Sequence, residues 1–344
     1  MILLLFLLLS ATTAPLPTQI VSTGPSECLI LHDGPAALNE LLPAAIRLRF
    51  SRIRIQGGEW DLTEPVLLEN AAFVTILAGE GGVPAVLLNK SGAVLTIRQV
   101  RSLTFENLVL DGGVDMLEKT RDVSFRSVTF NRKGLSLKAR SCNQPNECVD
   151  VHKGLVVENS TFVNCDRGIY AERLESSWIR NNRFVGAAST SGCDQPVGIE
   201  VDGKTEDLDR RLEYGHVKTN HITGNSFEQP FSTGIRLRYT QANVIRENEF
   251  EESYRAMEFL EGARYNQVLT NHIGYLSETP VSSACPVPCG IYAGAGAFNN
   301  VFYNNFFEQD FELQFLERHR NHLFVVDESG GRNVFRSDFL KIQQ

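Results

Sequence analysis

The sequence predicts an all-β protein, a solenoid of stacked coils of about 22 residues with one capping helix at its N-terminal end. Three observations carry this. A short motif recurs as GIYAERL at Gly168, GIEVDGK at Gly198, GIRLRYT at Gly234, AMEFLEG at Ala256, GIYAGAG at Gly290 and ELQFLER at Glu312. In each copy apolar and variable residues alternate with a period of two, as in a strand with one buried face. The spacing is the second observation: Gly234 to Ala256 and Gly290 to Glu312 are both about 22 residues, and the longer intervals fit the same coil with insertions. The third is a companion element, Ile179 to Phe184, Ile245 to Phe250, Val268 to Ile273 and Val301 to Phe307, each with an Asn at a fixed place. Such units cannot bury an apolar face alone and do so by stacking.

Taken in order, Met1 to Ser10 is almost wholly aliphatic and Ala11 to Ala14 is small, so residues 1–14 read as a secretory signal peptide. No other stretch is long and apolar enough to span a membrane. Ala36 to Phe50 has helical spacing of its apolar residues and precedes the strands, where a cap is needed to cover the open end of a stack. From there short apolar runs broken by Gly, Pro and Asn continue without a linker, which makes residues 28–344 a single domain. The asparagines at the fixed turn position (Asn182, Asn248, Asn271 and Asn305) read as a side-chain ladder supporting the bend.

The net charge of −8 argues against nucleic acid or an anionic membrane surface as partner. Seven cysteines fit an oxidising compartment, secreted or periplasmic. Cys142 with Cys148, Cys165 with Cys193 and Cys285 with Cys289 are candidate disulfides, and buried free thiols at Cys28 and Cys165 are the alternative. Asn89 and Asn159 stand in glycosylation sequons.

The N-x-F and G-I-x coils, with the opening RIRIQGGEWDLTEPVLLENAAFVTILAGEGG, resemble the pectin-lyase-like superfamily, especially its periplasmic copper-protein and carbohydrate-binding branches. The resemblance spans Ile53 to Phe339. It implies a right-handed parallel β-helix and a polysaccharide partner. The superfamily holds lyases, polygalacturonases, uronan epimerases and non-catalytic members. The DPHD, GHG with RIK, and R-x-P-x-x-R signatures of its enzyme families are missing here, so no single enzyme family is matched.

Stacking the motif in register gives two outward columns. The first runs Ser136, Tyr170, Glu200, Arg236, Glu258, Tyr292, Gln314, and the second Lys138, Glu172, Asp202, Arg238, Leu260, Gly294, Leu316. Long insertions at both ends of this strand would wall a groove whose floor is the charged column. The alternative is a set of salt-bridged ladders on an exposed sheet. As catalytic candidates the columns offer Glu200, Asp202, Arg236, Arg238 and Glu258, and as substrate-binding ones Lys138, Tyr170, Glu172 and Tyr292. Glu200 and Glu258, two coils apart, approach the carboxylate separation of inverting glycosidases, and Glu172 with Asp202 the retaining one. Elimination from a uronic acid would use Arg236, Arg238 or Lys138 against the substrate carboxylate and Tyr170 or Tyr292 as proton donor. Glu172, Glu200 and Asp202 could gather a Ca²⁺, the one cofactor considered. His216 could lean into the groove, His221 and His272 point away from it, and His319 and His322 look incidental. Gly294-Ala295-Gly296 reads as a tight coil passage. The expected function is a secreted polysaccharide lyase acting on a uronic-acid glycan. A hydrolase or epimerase comes next, and a non-catalytic carbohydrate-binding or envelope structural protein is the alternative class.

Overall fold

The computed structural model describes residues 19–32, 37–79, 82–139, 151–186, 196–203, 218–228, 231–251, 253–274, 289–307, 323–330 and 332–336. The apolar segment 1–14, His216, His319, His322, most of each insertion and the pair Cys142 and Cys148 lie outside them. So do Gln314 and Leu316. Among the described residues the one helix is Leu38–Arg47, which buries Leu38, Leu41, Leu42 and Ala45 against the strands Glu27–Ile30 and Val66–Glu69. It covers the first coils as the sequence predicts.

Beyond an antiparallel start, Ile20–Ser22 with Glu27–Ile30, every strand pairing among the described residues is parallel and joins one coil to the next. A coil passes through three sheets. The first contains Val156–Glu158, Trp178–Arg180, His221–Thr223, Val244–Arg246, Gln267–Leu269 and Val301–Tyr303. The second contains Thr161–Cys165, Arg183–Gly186, Ser226–Glu228, Glu249–Phe250 and His272–Ile273. The third contains Leu135–Lys138, Arg167–Glu172, Val197–Asp202, Thr233–Arg238, Arg255–Phe259, Cys289–Ala293 and Leu323–Asp327. The chain returns to the first sheet through a strip only two residues wide, paired at Lys153, Glu175, Lys218, Gln241, Arg264 and Phe298.

One expected coil is corrected. The strand that pairs with Cys289–Ala293 is Leu323–Asp327, with Tyr292 opposite Val326, so Val326 takes the column position expected for Gln314. ELQFLER mimics the spacing, but alternation alone does not fix register when an insertion intervenes.

Inside, like stacks on like. Phe130, Phe162, Phe184, Phe227 and Phe250 form a column with neighbouring ring centroids 4.5 to 4.9 Å apart and planes within 8°. All five are essentially inaccessible, and each contributes about 1.5–3 kcal/mol of burial. Cys28, Cys165 and Cys289 carry free thiols in this core, which corrects the pairings proposed for Cys165 and Cys289. Burial pushes each of the three up to about 12, so they stay protonated. Asn89 is also buried; its carboxamide caps its own turn through Ser91, Gly92 and Ala93, so it is no glycan acceptor, whereas Asn159 is exposed.

The bends between sheets are where the fold is won. The residues before Asn182, Asn225, Asn248, Asn271 and Asn305 have φ between 52 and 62°, and only Gly224 among them is a glycine. A left-handed residue with a side chain costs about 1 kcal/mol or more. The Asn that follows offsets this. Its Oδ1 accepts from the backbone N–H of the corresponding residue one coil earlier, along a ladder running Ser160, Asn182, Asn225, Asn248, Asn271, Asn305 at 2.9 to 3.1 Å. Its Nδ2 donates to the next amide and to a carbonyl of the preceding coil, as Asn248 does to Asn271 and to Ile222. A second ladder, Ser177, Asn220, Asn243, Asn266, Asn300, Asn333, does the same at the other end of the first sheet.

Replacing Asn248 with Ala strips the Asn225 N–H and the Ile222 carbonyl of buried partners at once. We expect a loss of about 3 kcal/mol or more, measured by urea denaturation. A loss below about 1 kcal/mol, the worth of an ordinary hydrogen bond, would show that the ladder merely decorates the bend.

Candidate functional site

The third sheet holds the predicted columns in register. Ser136 pairs with Tyr170, Tyr170 with Glu200, Glu200 with Arg236, Arg236 with Glu258 and Glu258 with Tyr292. Glu172, Asp202 and Arg238 align in the second column, while Lys138 stands exposed near its start. Continuing the pairing of Ala293 with Asp327 by one residue brings Glu328 to the place expected for Leu316.

The middle of the first column is not an exposed floor. Glu200, Arg236 and Glu258 are each only 5 to 6% accessible. Arg236 donates from Nε to Glu258 Oε2 at 2.6 Å, and Arg255 donates from Nη1 to Glu258 Oε1. Arg255 in turn lies under the Tyr292 ring, 4.1 Å from its centroid. Glu258 is thus clamped between two guanidiniums. Burial works to raise its pKa, but the charges of Arg236 and Arg255 and their hydrogen bonds win, and the net direction is down. Glu200 faces Arg167 at 3.4 Å, and Arg167 covers the Tyr170 ring at 4.9 Å. Charges of opposite sign one coil apart have closed on each other rather than remaining open to a ligand.

The three proposed calcium ligands do not converge. Glu172 accepts from Tyr170 Oη and from the Ala139 N–H, Glu200 faces Arg167, and Asp202 lies 3.9 Å from Arg238. Among the described residues no group of three acidic, His or Cys side chains is placed to hold a metal ion. His221 stacks on Trp178 at 4.1 Å and His272 lies beside Glu249, both on the outside of other sheets and away from the column, as expected.

The open space lies over the second column. A groove of about 890 Å³ runs past Asp202, Arg238, Leu260 and Gly294 to Glu328. Tyr292 borders it on the first-column side, and Tyr239 and Glu261 on the other. Tyr292 Oη donates to Glu328 Oε2 at 2.7 Å, and Tyr239 Oη to Glu261 Oε2 at 2.7 Å. Burial, then the hydrogen bond to its glutamate, pushes each phenol up to about 12. Gly294-Ala295-Gly296 is more than a tight passage: it leaves the floor empty. A Cβ on Gly296 would collide with Glu261, whereas at Gly294 it would meet only ordinary contacts, the nearest Tyr292 Cε1 at 3.4 Å. Arg255, Arg167, Tyr239, Glu261 and Glu328 are the residues that the column argument misses. All five sit at strand ends or in turns, outside the period-two pattern; Arg255 lies three residues before Glu258 and Arg167 three before Tyr170.

The buried clamp has two consequences. Arg236→Ala leaves Glu258 with one of its two cations, and breaking a buried pair costs about 3–5 kcal/mol, well above the 0–1 kcal/mol of an exposed one. A drop near the lower figure in urea denaturation would return the column to the surface. The second consequence concerns pH. Because the folded pKa of Glu258 is depressed, its stabilisation is complete above the ordinary carboxylate value of 4.5 and is lost as pH falls through the folded value. Glu258→Gln should therefore lose less melting temperature than the parent chain between about pH 5 and pH 3. Parallel curves would show that Glu258 is not the group titrating.

Comparison with known proteins agrees with the architecture. Residues 112–308 match the family described as "Right handed beta helix region". No curated protein matches the sequence. Among solved structures, the Dettilon tailspike protein is 12% identical with a TM-score of 0.51, over 89% of this chain and 59% of that one. A GH136 lacto-N-biosidase from Eubacterium ramulus is 10% identical with a TM-score of 0.49, over 86% and 64%. A DFA-IIIase from Arthrobacter chlorophenolicus is 11% identical with a TM-score of 0.47, over 93% and 85%. The chain thus spans about three fifths of the length of the first two. With parallel coils, the laddered turns and the family match in agreement, the chain is a member of the right-handed β-helix family.

Proposed function

We propose that the chain is an exported carbohydrate-active protein that holds a polysaccharide in the groove between Arg238 and Glu328. One observation carries the reading. The groove lies along the solenoid, is floored by Leu260 and Gly294, and is edged by two tyrosines whose hydroxyls are tied to carboxylates. Ring faces beside fixed hydrogen-bonding groups suit a sugar, which presents apolar C–H faces and polar edges. Three coils separate Arg238 from Glu328, about 14 Å at the usual strand spacing, so an extended chain fits better than a single ring.

Hydrolysis suits this groove better than elimination. Elimination from a uronic acid needs a cation against the substrate carboxylate and a base of matched pKa. Arg238 is the one guanidinium lining the groove among the described residues, and it already faces Asp202. The phenols of Tyr239 and Tyr292 stay protonated at neutral pH and donate hydrogen bonds to Glu261 and Glu328, so neither is a ready base. Asp202, Glu261 and Glu328 give the groove a net negative lining, which favours a neutral or sparsely charged glycan. In the hydrolytic reading Glu261 and Glu328 share the acid and base roles.

A panel of neutral glycans and polyuronides tests the proposal with three variants. Gly294→Phe fills the floor and should abolish binding with the fold intact. Glu261→Gln and Glu328→Gln should each retain binding and lower the release of new reducing ends about a hundredfold or more. Products absorbing in the near ultraviolet would replace hydrolysis by elimination. Binding without product would give the non-catalytic protein. Undiminished binding by Gly294→Phe would sink the groove itself.

A further inference from the structure

Outside the groove, the two-residue strip between the third and first sheets shows strict alternation along the axis. Its inward residues are Val100, Thr120, His152, Leu174, Thr240, Ala263 and Ala297, all buried. Its second residues stack in register as Arg101, Arg121, Lys153, Glu175, Lys218, Gln241, Arg264 and Phe298, all at least partly accessible except Gln241, which is buried. Five of these eight are cations and one is an anion, in a chain whose net charge is −8. From Arg101 to Arg264 is six coil steps, about 29 Å of basic edge at the usual strand spacing.

The edge is not consumed by internal pairing at its N-terminal end. Glu175 lies between Lys153 and Lys218, at 3.7 and 3.9 Å. Among the described residues no carboxylate pairs with Arg101, Lys119 or Arg121, all three exposed. These three also line a second cavity of about 470 Å³, together with Asn70, Val100, Gln99 and one carboxylate, Glu118, which accepts from the Gln99 amide at 2.7 Å, so the cavity keeps three cations to one anion. Exposed ring faces stand beside the edge at both ends. Phe73, 65% accessible, lies under Arg101, and Tyr265, 53% accessible, lies beside Arg264.

We propose that this edge is a second binding surface, for a linear anionic glycan bearing carboxylate or sulfate groups. Cations repeated along a straight line match a polymer with charges repeated along its length. The amides between them and the rings beside them match hydroxyls and sugar faces. Glu175 and Gln241 interrupt the cations, which fits the sparse charge of a polysaccharide better than the one charge per phosphate of a nucleic acid. This surface is independent of the groove, whose lining is net acidic.

The test is titration calorimetry of the full chain with polygalacturonate and dextran sulfate, and with neutral dextran as control, at low and moderate salt. We expect binding of at least one polyanion, weakened by added salt, and no binding of dextran at this edge. The triple variant Arg101→Ser, Lys119→Ser, Arg121→Ser should weaken it by about tenfold or more. Should that variant fold poorly by circular dichroism, the single Arg121→Gln replaces it, with a smaller loss expected. Gly294→Phe should bind the polyanion like the parent chain, which separates failure of this surface from failure of the groove. No binding of either polyanion by the parent, unchanged affinity in the edge variants, or tighter binding of a single-stranded oligonucleotide would each overturn the proposal.

Discussion

The hydrogen bond from one turn amide to the next holds this molecule in register. A stack of coils with only apolar contacts between them would tolerate slippage, because the buried side chains of successive coils are much alike: Ile179, Ile222, Ile245 and Val268 are nearly interchangeable. An asparagine whose Oδ1 must meet one backbone N–H on one side, and whose Nδ2 must meet one Oδ1 on the other, has no alternative partner. Burial raises the stakes, since an unmatched amide in the interior costs more than a matched one contributes. Two such ladders bracket the first sheet, and a left-handed residue ahead of every ladder asparagine from Asn182 to Asn305 turns the chain through the corner. The phenylalanine column, the aligned third sheet and the basic edge all inherit their spacing from these bonds.

Much of this was legible in the sequence because it depends on local periodicity. Alternation in GIEVD and GIRLR sets the face, the recurring asparagine sets the bend, and the apolar spacing of Ala36 to Phe50 marks the cap. The second asparagine ladder was equally legible, since Asn220-His-Ile222 and Asn266-Gln-Val268 repeat the N-x-apolar signature of Asn182-Arg-Phe184. The last coil was not. ELQFLER has the right alternation, yet Leu323–Asp327 takes the place in the sheet. Alternation describes a strand, not the neighbour it will choose.

The candidate site was legible by half. Sequence alone places Glu200, Arg236 and Glu258 in one column but cannot say that the side chains turn sideways and seal each other off. That outcome depends on Arg255, which reaches Glu258 from three residues upstream, and on the Tyr292 ring that covers it. Once the middle charges are spent on one another, ligand access shifts to the neighbouring column, where Leu260 and Gly294 leave space. Charge on the molecule is accordingly sorted by place: neutralised within the third sheet, acidic around the groove, basic along the narrow edge. Under the proposed function and the further inference, this sorting would let the chain adhere to an acidic matrix through one surface while working on a different glycan through another.

The parallel coils also give the groove a ruler. Glu328 stands three strands beyond Arg238, and no smooth adjustment of the backbone can change that interval, because each strand is pinned to the next by hydrogen bonds of fixed length. The interval can change only by the gain or loss of an entire coil. Descent within such a family would therefore lengthen or shorten a glycan site in whole-number steps, each adding one layer of floor, one rung to each asparagine ladder and one position on the basic edge together.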